Sequence, residues 1–150
     1  MTLKEQIDKD LKIAMLGGDK TAVDTLRGLK SVILYDEVAK GRKTEGLADN
    51  EVISLLQKEA KKRQESVDLY TTGGNEDRAK QELLEKGIIE KYLPKALSEA
   101  DMNALVDTIL EKFDNPDISK MGQIIALAKE RSGGSADGAT LAAIVKTRLS

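Results

Sequence analysis

Residues 51–70 carry the sequence EVISLLQKEAKKRQESVDLY, which decides the fold class of the chain. Apolar and small residues recur in it at steps of three and four, which places them on one face of an α-helix. These residues are Val52, Leu56, Ala60, Val67 and Tyr70. Another face carries charged residues at the same spacing, namely Lys58, Lys61, Lys62 and Glu65. The stretch is therefore predicted to be one long helix with a core stripe and a charged back.

Arg63 lies on that core stripe, three residues after Ala60 and four before Val67. A guanidinium that is withdrawn from water needs a carboxylate or backbone carbonyls as partners. Two interpretations stay open. Either the stem of Arg63 lies on the core while its head reaches water, or the residue forms a buried ion pair that fixes how this helix docks. Arg63 is thus a candidate for a structural ion pair.

The composition favours helices throughout the chain. Of the 150 residues, 33% are charged and only 3% are aromatic, and there are two prolines. Such a chain is rich in helix formers and poor in strand formers. We predict an all-α fold, with an N-terminal extended bundle of about four helices followed by a small C-terminal three-helix bundle. The sequence LPKAL at residues 93–97 marks a boundary between an N-terminal helical domain, 1–95, and a C-terminal three-helix domain, 96–150.

Turn residues give the ends of the predicted helices. Gly17 and Gly18 end the first helix, because glycine suits the left-handed conformation of a C-cap. Short polar side chains that suit N-caps precede later helices, at Asp19, Asn75, Ser98, Ser119 and Asp137. The sequence GRKTEGLA at residues 41–48 lacks periodicity and is predicted to be a mobile loop. Arg42 and Lys43 on this loop either reach a phosphate or only add solubility.

The residue types that are missing exclude most familiar active sites. The chain has no cysteine and no histidine, which excludes disulfides, thiolate nucleophiles and sites built on imidazole. No carboxylate, lysine or serine is singled out by its surroundings in the sequence. We therefore assign no catalytic residue, no metal site and no cofactor, and we expect that the chain is not catalytic alone.

Charge and hydropathy limit the partners and the location. The net charge is −2, whereas proteins that bind nucleic acid non-specifically usually carry a basic surplus. Contact with RNA would therefore come from a local patch. No apolar run is long enough for a transmembrane helix, and acidic residues occur in the first twelve positions, where a signal peptide would be apolar. We expect a cytoplasmic protein without a membrane partner.

Five cations near the ends of the last two predicted helices form the candidate site. They are Lys120, Lys129, Arg131, Lys146 and Arg148. Cations near helix C-termini are explained by the helix dipole and by solvation. The alternative is a small basic patch that contacts an RNA backbone. The residues alone leave both interpretations open.

Two separated blocks of the sequence resemble the YqeY family. The first block is QKEAKKRQES at residues 57–66, followed by Tyr70, Glu82, Glu85 and YLP at residues 92–94. The second block is MG at residues 121–122, GSADG at residues 134–138, IVK at residues 144–146 and Leu149. The two blocks stand in the family's order, and the resemblance spans essentially the whole chain.

The resemblance implies an all-helical protein related to the tail of the GatB subunit of the tRNA-dependent amidotransferase. That enzyme amidates misacylated Glu-tRNA or Asp-tRNA, and its tail contacts tRNA. Its chemistry resides in a separate magnesium-containing domain and in a glutaminase subunit, so the family carries the label of a glutamine-dependent carbon-nitrogen ligase. This chain resembles only the part that would hold the substrate. The five cations are therefore expected to contact phosphates of tRNA or of an aminoacyl-tRNA complex.

Three hypotheses about function follow. The leading one is a non-catalytic helical module that binds tRNA or associates with an amidotransferase. The alternative is a protein-protein interaction adaptor that uses the charged back of the central helix or the small C-terminal bundle. The third is an enzyme that acts through carboxylates or through an amine such as that of Lys61, which requires a solvent-excluded cleft with converging acids.

Overall fold

The computed structural model describes residues 1–150 as seven α-helices and one short 3-10 helix, without a β-strand. The α-helices are α1 (Leu3–Gly17), α2 (Lys20–Ala39), α3 (Asp49–Thr72), α4 (Glu76–Glu90), α5 (Glu99–Leu110), α6 (Met121–Ser132) and α7 (Gly138–Leu149). The predicted all-α fold class is confirmed. None of these helices combines the length and the hydrophobicity that crossing a bilayer requires.

The chain divides into two compact units, Met1–Leu93 and Pro94–Ser150. Helices α1 to α4 belong to the N-terminal unit, and α5 to α7 belong to the C-terminal unit. The assignment of separate domains to residues 1–95 and 96–150 stays a prediction.

Most of the predicted helix caps are confirmed. The C-cap of α1 is Gly18, which has the left-handed conformation with φ at 70°. Asp19, Asn75, Ser98 and Asp137 each accept a hydrogen bond from the backbone N–H three residues later. These four side chains satisfy amide groups that would otherwise lack a partner in the first turn of a helix.

The predicted cap at Ser119 is wrong. Asp117 instead accepts the N–H of Ser119 at 3.0 Å and begins the 3-10 helix Ile118–Lys120. α6 then starts at Met121 without a side-chain cap. The hydroxyl of Ser119 itself bonds to Asp117. Because an ionised carboxylate is a stronger acceptor than a hydroxyl, the turn is organised by the aspartate two residues earlier.

The core of the N-terminal unit lies where its four helices meet. α1 packs chiefly against α2, and α3 packs chiefly against α4. The buried residues of this core are Ile7, Leu11, Ala14, Leu26, Leu29, Ile33, Leu47, Val52, Leu56, Ala60, Ile89 and Tyr92. The core stripe of α3 is buried in its first half, whereas Val67 and Tyr70 are only half-buried.

Glu37 of α2 is wholly buried although it is ionisable. Nζ of Lys4 in α1 lies 3.0 Å from both of its carboxylate oxygens, and the backbone N–H of Leu47 donates to it at 3.3 Å. Gly46 has φ at 80° and approaches so closely that a Cβ there would lie 3.3 Å from Oε2 of Glu37. The loop 41–48, predicted to be mobile, is therefore tied to α2 through this carboxylate.

Replacement of Lys4 by methionine should destabilise the N-terminal unit by about 2–3 kcal/mol, because it leaves the carboxylate of Glu37 buried without its cation. Urea unfolding followed by tyrosine fluorescence measures this loss, since all three tyrosines lie within residues 1–93. Lys30→Met is the matched control. It removes a 2.8 Å ion pair with Asp8 in which the side chains are 43% and 38% exposed, and it should cost less than about 1 kcal/mol. Equal losses in the two variants would contradict this account.

The C-terminal unit consists of α5 and the helical pair α6–α7. Its core is formed by Met102, Val106, Ile109, Ile124, Ala128, Ala136, Leu141, Ile144 and Val145. In the turn between α6 and α7, Gly133 and Gly134 have φ of 61° and 88°, values that L side chains rarely adopt. The turn comprises residues 133–137 only, and such a short connection makes the two helices antiparallel neighbours.

Candidate nucleic-acid interface

The antiparallel pair α6–α7 divides the five candidate cations between its two ends. Lys129 and Arg131 lie in the last turn of α6, and Lys146 and Arg148 lie in the last turn of α7. Lys120 immediately precedes α6, so it lies at the same end of the pair as Lys146 and Arg148. A helix of 12 residues is about 18 Å long. The structure therefore offers two small groups of cations at opposite ends of the pair.

Arg148 is turned toward α5 and held there. Its Nη2 donates to Oδ1 of Asn103 at 2.9 Å, and its Nη1 lies 3.3 Å from Oδ1 of Asp107. These contacts tie the end of α7 to α5. Residues two apart on a helix do not face the same side, so Lys146 is directed away from this contact.

The four other candidate cations, Lys120, Lys129, Arg131 and Lys146, are exposed to solvent. At the turn between α6 and α7, the side chain of Lys129 lies against Gly138, the first residue of α7. Arg131 lies three residues after Ala128, on the helix face that carries the buried residues Ile124 and Ala128. Arg131 itself is exposed. All four ammonium or guanidinium groups are accessible to a ligand in solution.

Charge is segregated within the C-terminal unit. Residues 99–117, which hold α5 and the segment after it, contain six carboxylates and one lysine, a net charge of −5. Residues 120–148, which hold α6 and α7, contain five cations and two carboxylates, a net charge of +3. A polyanion is therefore attracted by the α6–α7 pair and repelled by the α5 segment.

Arg63 of α3 faces three carboxylates. Its Nε lies 3.6 Å from Glu82 and 3.4 Å from Glu85 of α4, and its Nη1 lies 3.9 Å from Glu59, one turn earlier in α3. The side chain is 26% exposed, and its buried Nε has no hydrogen-bond partner. Burial raises the pKa of Glu85, and the guanidinium opposes that rise. Arg63 is thus ion-paired across the α3–α4 contact, and its role in fixing how the helices dock stays a prediction.

An ion-pair network at the start of α3 was not foreseen from the sequence. The carboxylate of Glu51 accepts hydrogen bonds from Nζ of Lys40 at 3.0 Å, from the backbone N–H of Ala48 at 3.1 Å and from Nη1 of Arg42 at 2.8 Å. These hydrogen bonds, that of Lys40 foremost, lower the pKa of Glu51 to about 2. Arg42, a loop cation with a possible role in phosphate binding, is therefore engaged within the N-terminal unit.

The lowered pKa of Glu51 makes its stabilising effect depend on pH. A carboxyl whose pKa is lower in the folded protein stabilises the fold above its unfolded pKa, and this contribution is lost as the pH falls through the folded pKa. The difference in free energy of unfolding between the unmodified protein and Glu51→Gln should be largest above pH 4.5 and should shrink toward zero near pH 2. Urea unfolding followed by tyrosine fluorescence measures it.

Glu45→Gln is the control for this pH series. Its carboxylate is 76% exposed and lies 3.9 Å from Arg42, so its replacement should change the free energy of unfolding little at any pH. A difference for Glu51→Gln that stayed constant over the whole series would count against an ionic role of Glu51.

Two concavities of the protein are open grooves. One lies between α2 and α3 and is lined by Ser31, Val32, Tyr35, Asp36, Ala39, Leu55, Glu59 and Lys62. The other lies between α5 and α7 and is lined by Glu99, Asn103, Ala143, Ile144, Thr147 and Arg148. Neither is the solvent-excluded cleft with converging acids that the enzyme hypothesis requires. No group of three or more aspartate and glutamate side chains is placed so that it could hold a metal ion.

Comparison with known proteins gives two matches. The family model described as "Yqey-like protein" matches residues 4–149. The chain is also 32% identical over 117 residues to "Altered inheritance of mitochondria protein 41, mitochondrial" of Lachancea thermotolerans. This alignment covers 75% of the chain and 61% of the relative, so the chain spans less than two-thirds of that relative's length. The relative's name gives a mitochondrial location and no ligand or reaction.

Proposed function

The chain belongs to the YqeY family, and from this premise we propose that it is a helical module that binds the phosphate backbone of tRNA and carries out no catalysis itself. The observation that carries the proposal is the segregation of charge in the C-terminal unit, with +3 on residues 120–148 and −5 on residues 99–117. A chain of net charge −2 attracts a polyanion only through such a local surface.

The proposed contacts are phosphate contacts made by Lys120, Lys129, Arg131 and Lys146. Lysine supplies a point charge, and arginine supplies a planar fork that matches phosphate oxygens. Stacking on bases needs aromatic side chains among the cations. All three tyrosines lie in the other unit, and Phe113 lies in the acidic segment 99–117. Binding through about four phosphates should therefore be weak, insensitive to sequence and strongly dependent on salt.

The roles of the two domains and the association with other chains belong to the same proposal. The N-terminal extended four-helix bundle, domain 1–95, would act as a scaffold, and the C-terminal three-helix bundle, domain 96–150, would carry the tRNA contacts. Resemblance to the GatB tail supports association with a tRNA-dependent amidotransferase or an aminoacyl-tRNA complex, whose catalytic and glutaminase parts would be other chains. The family's label of a glutamine-dependent carbon-nitrogen ligase would then describe that assembly. The cytoplasm stays the predicted location, although the relative from Lachancea thermotolerans is named as mitochondrial.

Reversing the charge of Arg131 or Lys146 should weaken tRNA binding. We expect Arg131→Glu and Lys146→Glu each to lower the affinity about 3- to 10-fold at low salt, because each variant removes one cation and adds a repulsive carboxylate. The plot of log K against log salt concentration should become shallower by roughly 1 in each variant. Fluorescence anisotropy with labelled tRNA across a salt series measures both quantities.

Lys112→Glu is the matched control for these reversals. Lys112 is exposed and lies in the acidic segment 99–117, so the same change in net charge occurs at a different place. The variant should keep its affinity within about twofold of the unmodified protein. Equal losses in all three variants would mean that only net charge matters. Unchanged binding by both Arg131→Glu and Lys146→Glu would remove the proposed site.

One observation on α2 favours the alternative function, a protein-protein interaction adaptor. Leu34, Tyr35 and Val38 lie on one side of this helix and are 46%, 82% and 58% exposed. Grouped apolar side chains on a surface commonly mark a site for a protein partner. This surface adjoins the open groove between α2 and α3, whose lining includes Lys62 of the charged back of α3. A protein that stays bound to the chain after RNase treatment and is lost from Tyr35→Ser would favour the adaptor over tRNA binding.

A further inference from the structure

The end of the Lys129 side chain lies close to the space that a side chain at Gly138, the first residue of α7, would occupy. A Cβ added at Gly138 would lie 3.2 Å from both Cε and Nζ of Lys129, which is closer than ordinary van der Waals contact. Gly138 is not among the glycines with positive φ. The backbone conformation therefore does not require glycine at this position. The absence of a side chain at Gly138 leaves room for the end of Lys129.

Other glycines of the C-terminal unit serve different purposes. Gly133 has φ at 61° and is the C-cap of α6, and a Cβ there would meet nothing within 4 Å. Gly122 lies in the first turn of α6, and a Cβ there would also meet nothing within 4 Å. Gly138 thus differs from both, because its small size serves the position of a neighbouring charged side chain.

We infer that Gly138 is a positioning residue for the tRNA contact of Lys129. The space above Gly138 lets the end of the long lysine side chain lie against the start of α7 while the residue stays accessible to solvent. An added Cβ at Gly138 would displace Cε and Nζ of Lys129 from this place, and the attraction between an ammonium and a phosphate weakens as their distance grows. This inference rests on the proposed function, since it assigns a role to one of the proposed phosphate contacts.

The adjoining N-cap of α7 is Asp137. Asp137 accepts the backbone N–H of Thr140 at 3.0 Å and the hydroxyl of Thr140 at 2.7 Å, which fixes the first turn of α7. Replacement of Gly138 by alanine leaves these groups unchanged and adds a single methyl group. The methyl group must displace the flexible end of Lys129, so the expected effect is on the position of the ammonium rather than on the helix.

The test compares Gly138→Ala with Gly122→Ala as its matched control, in the full chain. Reactivity of the Lys129 amine, measured without RNA by competitive acetylation and mass spectrometry, should change about twofold or more in Gly138→Ala and stay unchanged in Gly122→Ala. Affinity for labelled tRNA should fall about two- to fivefold in Gly138→Ala only. Unchanged Lys129 reactivity in Gly138→Ala would overturn the inference.

A double-mutant cycle shows whether Gly138 acts through Lys129. Lys129→Met should lower tRNA affinity, and Gly138→Ala should lower it no further in that background. An undiminished further loss would overturn the inference. If Gly138→Ala does not fold, the double variant Lys129→Ala/Gly138→Ala should fold, because it lacks the lysine atoms that the added Cβ would meet. Failure of the double variant to fold would also overturn the inference. Absence of tRNA binding by the unmodified protein would overturn the proposed function, whereas the acetylation result judges the Gly138–Lys129 contact on its own.

Discussion

The wholly buried carboxylate of Glu37 is the constraint on which the N-terminal unit depends. A carboxylate among apolar side chains must find partners there, and separate parts of the chain supply them. Lys4 comes from α1, and the N–H of Leu47 comes from the loop before α3, which approaches because Gly46 has no side chain. α1, α2 and the start of α3 therefore meet at one point. A satisfied polar contact of this kind makes the core rigid and specifies one arrangement of helices.

Each unit contains cations that carboxylates hold and cations that are exposed, and the proposed phosphate contacts are exposed ones. In the N-terminal unit, Lys4, Arg42 and Arg63 lie within 4 Å of carboxylates, so their charge serves the fold. In the C-terminal unit Arg148 is held in the same way by Asp107, but the remaining cations of α6 and α7 are exposed. An acidic chain can thus present a basic surface, because most carboxylates of this unit lie in residues 99–117 and most of its cations lie in residues 120–148. The proposed phosphate contacts are thus cations that the fold does not neutralise.

Local sequence signals predicted the helices well, whereas contacts between distant residues could not be read from them. The caps at Asp19, Asn75 and Asp137 depend on neighbours three residues away and are therefore visible in the sequence. Glu37 was missed although a signal existed, since it follows Leu29 and Ile33 at steps of four on the buried face of α2. The engagement of Arg148 by Asn103 and Asp107, 45 and 41 residues away, has no local signal. The positions of the helix ends indicated which cations to consider, and the family resemblance indicated tRNA as their ligand. Only the structure separated Arg148 from the other four cations.

In the proposed complex, tRNA meets the chain on the α6–α7 pair and not elsewhere. Titration of the isotope-labelled protein with tRNA, followed by two-dimensional NMR of the backbone amides, tests this claim most directly. The account predicts that amide signals near Lys120, Lys129, Arg131 and Lys146 shift with added tRNA, while those of residues 99–117 stay in place. Shifts confined to α5 or to the apolar surface of α2, or no shifts at all, would contradict it.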